Sequence, residues 1–340
     1  MITASPDARI TPSPSVTHTD WRQSWRDAVT DGGELLAMVG LQHLAGRLPL
    51  ADAGFPLRVP RGFVARMRHG DPRDPLLLQV LPQLAELEQV AGFVTDAVGD
   101  LDARAAHGLL HKYQGRALLI ASGSCAINCR YCFRRHFPYG EEIAAAGQWR
   151  QAIEHLREDT SISELILSGG DPLALATPKL EELSHGLREL KHLIRLRIHS
   201  RLPVVLPERI DAPLLDWLGR LPLQKVVVLH ANHANELDAD VATACARLRD
   251  AGATLLNQSV LLRGINDDAT VLADLSERLF AASVLPYYLH QLDRVEGTAH
   301  FEVTDARALA LMDALRTRLP GYLVPKLVRE VGGDCSKRPL

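Results

Sequence analysis

The sequence predicts an α/β protein in which a parallel sheet is built from repeated strand and helix units. After about residue 105, short runs rich in apolar and β-branched residues alternate with segments of helical periodicity. From the second run onward, the runs begin about 30 residues apart, which is the length of one βα unit. Polar residues follow each run directly, so we expect the loops after the strands to meet at one edge of the sheet.

The composition is that of a folded chain with a large core. Of the 340 residues, 46% are hydrophobic and 23% are charged, which excludes disorder, collagen and coiled coil. No apolar stretch approaches the roughly 20 residues that are needed to span a bilayer. The net charge of −3 provides no field for nucleic acid or an acidic membrane surface. We therefore expect a small-molecule ligand, with neither nucleic acid nor a membrane as partner.

The first 105 residues divide into a tail and a helical region. Residues 1–19 are predicted to be disordered, and they lack the apolar core of about 7 to 15 residues that a signal peptide needs. A cytoplasmic protein is therefore expected. Residues 20–105 are predicted to be helical, through WRQSWRDAV, GELLAMVGLQHLAGRL and a third helix running through LLLQVLPQLAELEQV. Asp74 and Pro75 suit the N-cap and first position of this third helix. The string VPRGFVARMRHGDPRDPLL is interpreted as a surface connection.

Six strand and helix units are predicted within residues 106–300, followed by a C-terminal segment, 301–340. The predicted strands are 117–122, 164–170, 195–201, 225–231, 254–262 and 285–292. Helical patterns between them include GQWRQAIEHLRED, TPKLEELSHGLREL and NELDADVATACARLRDAG. The polar strings that follow the strands are SGSCAINCRYC, SGGD, HSR, HANHANE, NQS and HQLD. Periodicity alone leaves open a full (β/α)8 barrel, a six-stranded partial barrel and an open doubly wound sheet.

Three of the five cysteines form a C-x3-C-x2-C motif, Cys125, Cys129 and Cys132, after the first predicted strand. A structural zinc site would need a fourth ligand, and Cys245 and Cys335 are more than 100 residues away. A disulfide would leave an odd thiol and is not expected in a reducing compartment. A [4Fe–4S] cluster held by three cysteines leaves one iron open to another ligand. An open iron indicates chemistry at the cluster.

The motif CAINCRYC, on the first strand of six βα units, resembles the signature of the radical S-adenosylmethionine (SAM) superfamily. The resemblance implies a partial (β/α)6 barrel, SAM as cofactor, and Tyr131 facing the adenine. The SGGD string resembles the glycine motif whose backbone meets the SAM amino group. On its own, a Gly-Gly pair after a strand more often marks a tight turn. Its residues are Ser168, Gly169, Gly170 and Asp171.

Longer strings resemble lysine 2,3-aminomutases, in the same order and over about residues 20 to 340. They are CRYCFRRHF, ILSGGDPL, SRLPVVLPERI, LHANHANE, NQSVLLRGINDD, LPYYLHQLD and GGDCSKRPL. The resemblance implies a second cofactor, pyridoxal 5′-phosphate (PLP), linked covalently to Lys337. A lysine so near a chain end would otherwise be read as a frayed, solvated side chain. Lys112 and Arg116 are implied to bind the PLP phosphate, with Tyr113 beside the cofactor. The family has Arg at position 112, so a planar fork becomes a point charge here.

A site for lysine needs a guanidinium at one end and carboxylates at the other. The resemblance implies that Arg134 binds the substrate carboxylate, while Asp293 and Glu330 hold the ε-ammonium. The lysine enzymes have Asp at position 330, so Glu330 keeps the charge and adds one methylene. Three further residues match positions near SAM, although hydrogen bonding in the core or rim is an equal alternative: His230, His233 and Gln258.

The resemblance is strongest to the subfamily that supplies β-lysine for modification of elongation factor P. The chain has Asp268 where the lysine-metabolising enzymes carry a cysteine, and it lacks their C-terminal zinc-binding extension. The string PRGFVARMRHGDPRDPLLLQVLP also resembles that subfamily. The implied activity converts L-lysine to (R)-β-lysine, with flavodoxin or ferredoxin as electron donor and a separate elongation factor P lysine ligase as functional partner. Two alternatives stay open: a free-standing aminomutase of lysine metabolism, and a SAM-cluster protein acting directly on a lysine side chain of elongation factor P.

A functional lysine three residues from the last residue requires an ordered tail. Apolar residues between Leu323 and Val331 are predicted to form a last strand beside the barrel. Gly332 and Gly333 are predicted to turn the chain over the barrel mouth. PLP itself is expected to fasten the tail.

Overall fold

The structure is a computed structural model that describes residues 20–47, 49, 54–147 and 149–340. The tail predicted at residues 1–19 lies outside them. Within the described residues, ten strands form one sheet in which each strand pairs with its neighbours in chain order, from β1 to β10. None of the helices in these ranges has the length and apolar character that a bilayer span requires.

Six consecutive strands of this sheet run parallel, as the spacing of the strand patterns predicts. They are β3 (Arg116–Ser122), β4 (Glu164–Gly169), β5 (Arg195–Ser200), β6 (Gln224–Leu229), β7 (Ala253–Val260) and β8 (Leu285–His290). Every predicted strand is present, with ends that agree to within about two residues. A helix follows each strand before the next begins, which is the connection that neighbouring parallel strands require.

The connecting helices follow the predicted order. They are α5 (Arg150–Glu158), α6 (Thr177–Leu187), α7 (Leu202–Val205) with α8 (Ala212–Arg220), α9 (Ala239–Asp250), α10 (Ala269–Ala281) and α11 (Asp305–Arg318). Side chains of β4 alternate between the two faces of the sheet: Leu165 and Leu167 are fully buried, whereas Ile166 and Ser168 line an internal cavity. The helices therefore cover one face of the sheet, and the other face encloses the cavity.

Short strands extend the sheet at both ends. An antiparallel hairpin of β1 (Arg104–Ala106) and β2 (Leu109–Tyr113) precedes β3, while β9 (Lys326–Arg329) lies parallel to β8 and β10 (Arg338–Pro339) antiparallel to β9. Over the described part of the chain, β1 and β10 are edges and do not pair with each other. Residues within or directly after each of the strands β2 to β9 nevertheless line one cavity. The sheet is therefore a curved, open barrel, which decides among the three alternatives in favour of the partial barrel.

The N-terminal region has shorter helices than predicted. It contains α1 (Trp21–Arg26), α2 (Gly32–Met38), α3 (Arg61–Val64) and α4 (Pro75–Leu78), with 3-10 turns at Gln42–Arg47 and Leu84–Leu87. The N-cap at Asp74 is confirmed, since its carboxylate accepts hydrogen bonds from the N–H groups of Leu76 and Leu77.

The two longer helices predicted in this region are wrong. The helix after Pro75 ends at Leu78, because Pro82 lacks an N–H group and its ring would clash with the carbonyl four residues earlier. The helix through GELLAMVGLQHLAGRL is interrupted at Gly40, whose φ of 71° is left-handed. The helical pattern therefore yields single turns joined by irregular segments.

Candidate active site

A cavity of about 1150 Å³ opens at the edge of the sheet where the parallel strands end. It exceeds the about 300 to 1000 Å³ that is usual for one small ligand, so it has room for more than one. Most of the predicted site residues line it: Lys112, Tyr113, Arg116, Cys125, Cys129, Tyr131, Cys132, Arg134, Ser168, Gly169, Gly170, Asp171, His230, Gln258, Asp293, Glu330 and Lys337. His233 does not, because its Nδ1 accepts a hydrogen bond from the Asn235 N–H and begins a 3-10 turn.

The three cysteines of the motif share the loop after β3. Burial raises the pKa of Cys125, and burial together with Cys129 raises the pKa of Cys132 to about 11. The sulfur atoms are thus close enough to repel one another as thiolates. Cys245 is buried in α9 and Cys335 is exposed. Three neighbouring half-buried thiols on one loop fit an iron–sulfur cluster with one iron left open.

An arginine that follows β5 contacts this loop directly. The Arg201 guanidinium donates to Cys129 Sγ and to Tyr131 Oη, each at 2.6 Å. Its other terminal nitrogen donates to Gln79 Oε1 at 2.7 Å and to Glu236 Oε2 at 3.0 Å. Arg201 belongs to the HSR string, but residue type alone did not distinguish it from any other buried arginine.

The N-terminal region contacts the cysteine loop and holds it in place. Glu86 accepts from Arg130 Nε at 2.9 Å and from Arg135 Nη2 at 2.9 Å, and the Glu86 side chain is only 1% exposed. The Arg130 N–H also donates to the Gln79 carbonyl at 2.9 Å. Burial opposes ionisation of Glu86, but the two arginines lower its pKa, so the carboxylate is charged. The region thus fixes the loop on which the cluster would sit.

The glycine pair of SGGD lets the end of β4 lie directly against the start of the cysteine loop. Gly169 has a φ of 115°, and a Cβ there would lie 2.4 Å from the Ser122 carbonyl oxygen. A Cβ on Gly170 would lie 2.7 Å from the Ser124 carbonyl oxygen. The end of β4 can therefore approach the cysteine loop only without side chains.

Asp171, the last residue of the SGGD string, is already occupied by protein donors. Its carboxylate accepts from Ser200 Oγ at 2.8 Å and from the N–H groups of Arg201 and Leu202 at 2.8 and 3.0 Å. It thereby fastens the loop after β5, and with it Arg201, to the end of β4. This is a structural use that the sequence reasoning did not assign to it.

Several polar atoms in the cavity wall have no protein partner. Among the described residues, the Nε2 atoms of His199, His230 and His290 and the Oε1 atom of Gln258 are buried without a hydrogen bond. Burial lowers the pKa of all three histidines, to about 3 for His230, so the rings are neutral. Buried polar groups are costly unless they are paired, so these atoms fit polar groups of ligands. His199 and His290 were not predicted, although both end strands within the strings HSR and HQLD.

A network of opposite charges joins the cysteine loop to the C-terminal segment. Asp100 is buried, and its two oxygens contact Arg134 Nε at 2.7 Å and Lys112 Nζ at 2.6 Å. Glu330 contacts Lys112 Nζ at 3.1 Å and Lys337 Nζ at 2.6 Å. Asp100 was missed in the sequence because it lies outside every motif.

The two carboxyl groups beside Lys337 differ in charge. Burial opposes ionisation of Glu330, but Lys337 and Lys112 lower its pKa to about 2. Burial, and next the charge of Glu330, raise the pKa of Asp293 to about 7. Glu330 is therefore ionised, while Asp293 changes its protonation near neutral pH. A further ammonium group placed between the two would draw Asp293 into its charged form.

Comparison with known proteins gives one family match on the cysteine loop and several relatives that cover most of the chain. The 4Fe-4S single cluster domain family matches residues 114–195, which include the three cysteines and SGGD. The L-lysine 2,3-aminomutase of Escherichia coli is 50% identical over 94% of each chain, and that of Haemophilus influenzae is 43% identical over 97% of this chain and 98% of its own. The L-lysine 2,3-aminomutase of Clostridium subterminale is 36% identical over 94% of this chain and 77% of its own. A solved radical SAM methyltransferase from Sphaerobacter thermophilus has a TM-score of 0.48 at 16% identity, over 65% of this chain and 68% of that one.

Because the iron–sulfur match falls on the cysteine loop at the mouth of a partial barrel, the protein is a radical SAM enzyme, a class that uses a [4Fe–4S] cluster and SAM. Relatives of 43 to 50% identity that cover almost the whole chain define it further. The chain belongs to the lysine 2,3-aminomutase family, which are isomerases.

Proposed function

We propose that this enzyme converts L-lysine to (R)-β-lysine with PLP as its third cofactor, and that the product is used to modify elongation factor P. The observation that carries the proposal is the arrangement of charge in the cavity. The Arg134 guanidinium lies on the cysteine loop, and the Asp293 and Glu330 carboxyl groups lie beside Lys337. A diamino acid has a carboxylate and a distant ammonium, and this arrangement is complementary to both. The names of the relatives support the same substrate.

Arg134 is the group proposed to bind the substrate carboxylate. Its Nε is held by Asp100 and its Nη1 donates to Ser168 Oγ at 2.9 Å. No bond to Nη2 is formed by the described residues, so this nitrogen remains for a ligand oxygen. Two fixed nitrogens hold the guanidinium plane in one orientation, which limits the directions from which a carboxylate can approach.

Glu330 and Asp293 are proposed to bind the ε-ammonium. Glu330 already binds the ammonium of Lys337, so the same oxygen suits the ammonium of a substrate once Lys337 is engaged elsewhere. Asp293 makes no side-chain hydrogen bond to the described residues, and it lies close enough to Glu330 for that charge to raise its pKa. The longer side chain of Glu330 thus reaches both the chain's own lysines and the substrate position.

Lys337 is the residue proposed to bind PLP, and the cavity has groups for the phosphate. The Nε atom of Arg116 is buried and unpaired among the described residues, and its guanidinium stacks 4.8 Å from the centre of the Tyr113 ring. Lys112, by contrast, is held by Asp100 and Glu330. We therefore assign the phosphate chiefly to Arg116 and treat Lys112 as the cation that joins the two carboxylates.

The cofactors supply the chemistry, and the residues of this chain position and shield it. When bound, SAM on the reduced cluster supplies the radical that removes hydrogen from C3 of lysine, and PLP stabilises the migrating nitrogen. Arg134 and the acid pair hold the two ends of the substrate, so that C3 is presented in one orientation. The neutral rings of His199, His230 and His290 can form hydrogen bonds with bound ligands, and they add no charge to the cavity. The barrel wall keeps bulk water from the reacting carbon.

The electron donor is proposed to be flavodoxin or ferredoxin, and a separate ligase is proposed to attach the product to elongation factor P. Relatives from Escherichia coli and Haemophilus influenzae are matched over nearly their full length, whereas a quarter of the clostridial relative lies outside the match. This supports grouping the chain with the shorter enzymes.

The test is anaerobic incubation of the reconstituted enzyme with L-lysine, SAM, PLP and a reductant, followed by chiral analysis of the amino acids. We expect (R)-β-lysine in the absence of elongation factor P. Formation of the S product would correct the stereochemistry. Turnover only when elongation factor P is present would instead favour direct modification of its lysine side chain. Cys129→Ala is the matched inactive control.

A further inference from the structure

A second group of ligating side chains lies outside the barrel, away from the cavity. Helix α5 packs against the β1–β2 hairpin. Leu110 and Lys112 of β2 line the cavity, whereas His111 between them does not and lies on the opposite face of the strand. His155 lies in the last turn of α5, and Asp159 follows four residues later on the same side of the helix. The three side chains therefore meet where the helix covers the hairpin.

Their ligand atoms lie within 4.8 Å of one another. Asp159 Oδ2 is 3.7 Å from His111 Nδ1, and the two imidazole rings meet edge to face with centroids 6.3 Å apart. Asp159 Oδ1 accepts from the N–H group and the hydroxyl of Ser161 at 3.0 and 2.6 Å, which leaves Oδ2 directed to His111. His155 Nε2 is buried and has no hydrogen-bond partner among the described residues.

We propose that His111, His155 and Asp159 bind a divalent transition-metal ion, with Zn²⁺ as the best fit. Two imidazoles and one carboxylate are an established protein ligand set for zinc and its neighbours, with water completing the coordination. Bond lengths of about 2.0 to 2.2 Å would bring the ligand atoms to about 3.3 to 3.6 Å apart. This needs only a small contraction of partly exposed side chains. The Ser161 bonds orient the carboxylate, as outer-shell partners do in metal sites.

The site would fasten α5 to the strand β2, which carries three cavity residues. His111 immediately precedes Lys112 and Tyr113, both of which line the cavity. An ion that binds only the folded protein stabilises it, by an amount that grows with the logarithm of the ion concentration above its Kd. The simplest alternative is that an ion pair and a ring contact hold helix and hairpin together without metal. The two interpretations differ in whether Zn²⁺ binds at these residues and raises the stability of the protein.

The experiment uses the full chain with its iron–sulfur cluster reconstituted, under anaerobic conditions, with Zn²⁺ as the probe. We expect calorimetric titration to show one more bound Zn²⁺ per chain in the unaltered protein than in His155→Gln. X-ray absorption at the zinc edge should show only nitrogen and oxygen neighbours. A sulfur shell would assign the ion to Cys335 or to the cluster loop and would overturn the proposal.

Matched variants separate binding from folding. His111→Gln and Asp159→Asn should each weaken Zn²⁺ binding about tenfold or more, and both keep a side chain that can still hydrogen bond. His185→Gln changes an exposed histidine in the last turn of α6 and should bind Zn²⁺ like the unaltered protein. Zn²⁺ should raise the melting temperature of the unaltered protein and of His185→Gln, but not of His155→Gln. Equal zinc affinity and equal stabilisation in all variants would show that the three residues form no site.

Discussion

At the level of single residues, Asp293 is a carboxyl group of the cavity that changes its protonation near neutral pH. Burial and the neighbouring charge of Glu330 raise its pKa to about 7, whereas Glu330 is ionised throughout the neutral range. Below pH 7, an ammonium ligand meets one negative charge from this pair, and above pH 7 it meets two. Ammonium binding and proton release from Asp293 are therefore coupled.

We expect lysine to bind more tightly as the pH rises from 6 to 8. Well below pH 7 the gain approaches tenfold per pH unit, because a proton must leave Asp293 when the ammonium binds. Calorimetric titration of the catalytically idle enzyme, without SAM or reductant, measures this directly. Asp293→Asn should bind lysine weakly at every pH and lose the slope. A variant that keeps the slope of the unaltered protein would assign the titrating group elsewhere.

Glu86 is the residue on which the support of the cysteine loop converges. Its buried carboxylate pairs with both Arg130 and Arg135, and removing one partner of a buried pair costs about 3 to 5 kcal/mol. Glu86→Gln should therefore lower the urea midpoint of unfolding and reduce the iron retained after gel filtration. Glu88→Gln, an exposed neighbour, is the matched control. If both variants retain iron and stability alike, the pair does not support the loop.

At the level of elements, strands with strong apolar alternation were predictable and short elements were not. The six parallel strands β3 to β8 follow from their patterns, because each contains several apolar residues and is followed by a polar string. The hairpin strands β1 and β2 mix His, Lys and Arg with alanine and leucine, since the hairpin borders the cavity and α5. The N-terminal helices were overextended because Gly40 and Pro82 stop turns that hydrophobic periodicity would continue.

Some residues of the candidate site are predictable from sequence motifs, and others are recognised only in the structure. The cysteines and Lys337 stand in motifs that a single chain displays. Asp100 stands in no motif, and Arg201 stands in strings that assign it no role. Only the fold brings Asp100 to Arg134 and Arg201 to Cys129. Long-range pairs of this kind leave no local trace in composition or periodicity.

The C-terminal strand has a consequence for Lys337. The apolar segment predicted there forms β9, and β10 pairs with it through Arg338 and Pro339. The Leu340 N–H also donates to the Leu327 carbonyl at 3.2 Å. The sheet thus holds the chain on both sides of Lys337, and the expectation that PLP also fastens the tail stays a prediction.

We expect Lys337→Ala to keep an ordered tail and lose covalent PLP. Borohydride reduction followed by peptide mapping should place the label on Lys337 in the unaltered protein and nowhere in the variant. Protection of the tail from proteolysis should be similar in the two proteins, because β10 does not include residue 337. Label on any other lysine would refute the PLP proposal.

At the level of the whole molecule, the cysteine loop is anchored independently of the metal it would bind. The Arg130 N–H bonds the Gln79 carbonyl, the Asn128 N–H bonds the Arg58 carbonyl, and the Arg130 side chain pairs with Glu86. These bonds use backbone and arginine groups, and none uses a sulfur atom. The barrel should therefore fold before, and without, the cluster.

Cys129→Ala tests this independence. Since three thiols are needed to hold a cluster with an open iron, the variant should fail to retain the full complement of about four irons after anaerobic reconstitution. Its circular dichroism should nevertheless match that of the unaltered protein, and borohydride should still fix PLP to Lys337, because Lys337 and Arg116 lie outside the cysteine loop. Cys245→Ser changes a thiol in the buried face of α9 and should retain iron, with a small loss of stability. Loss of helical signal in Cys129→Ala would show instead that the cluster is part of what folds the barrel.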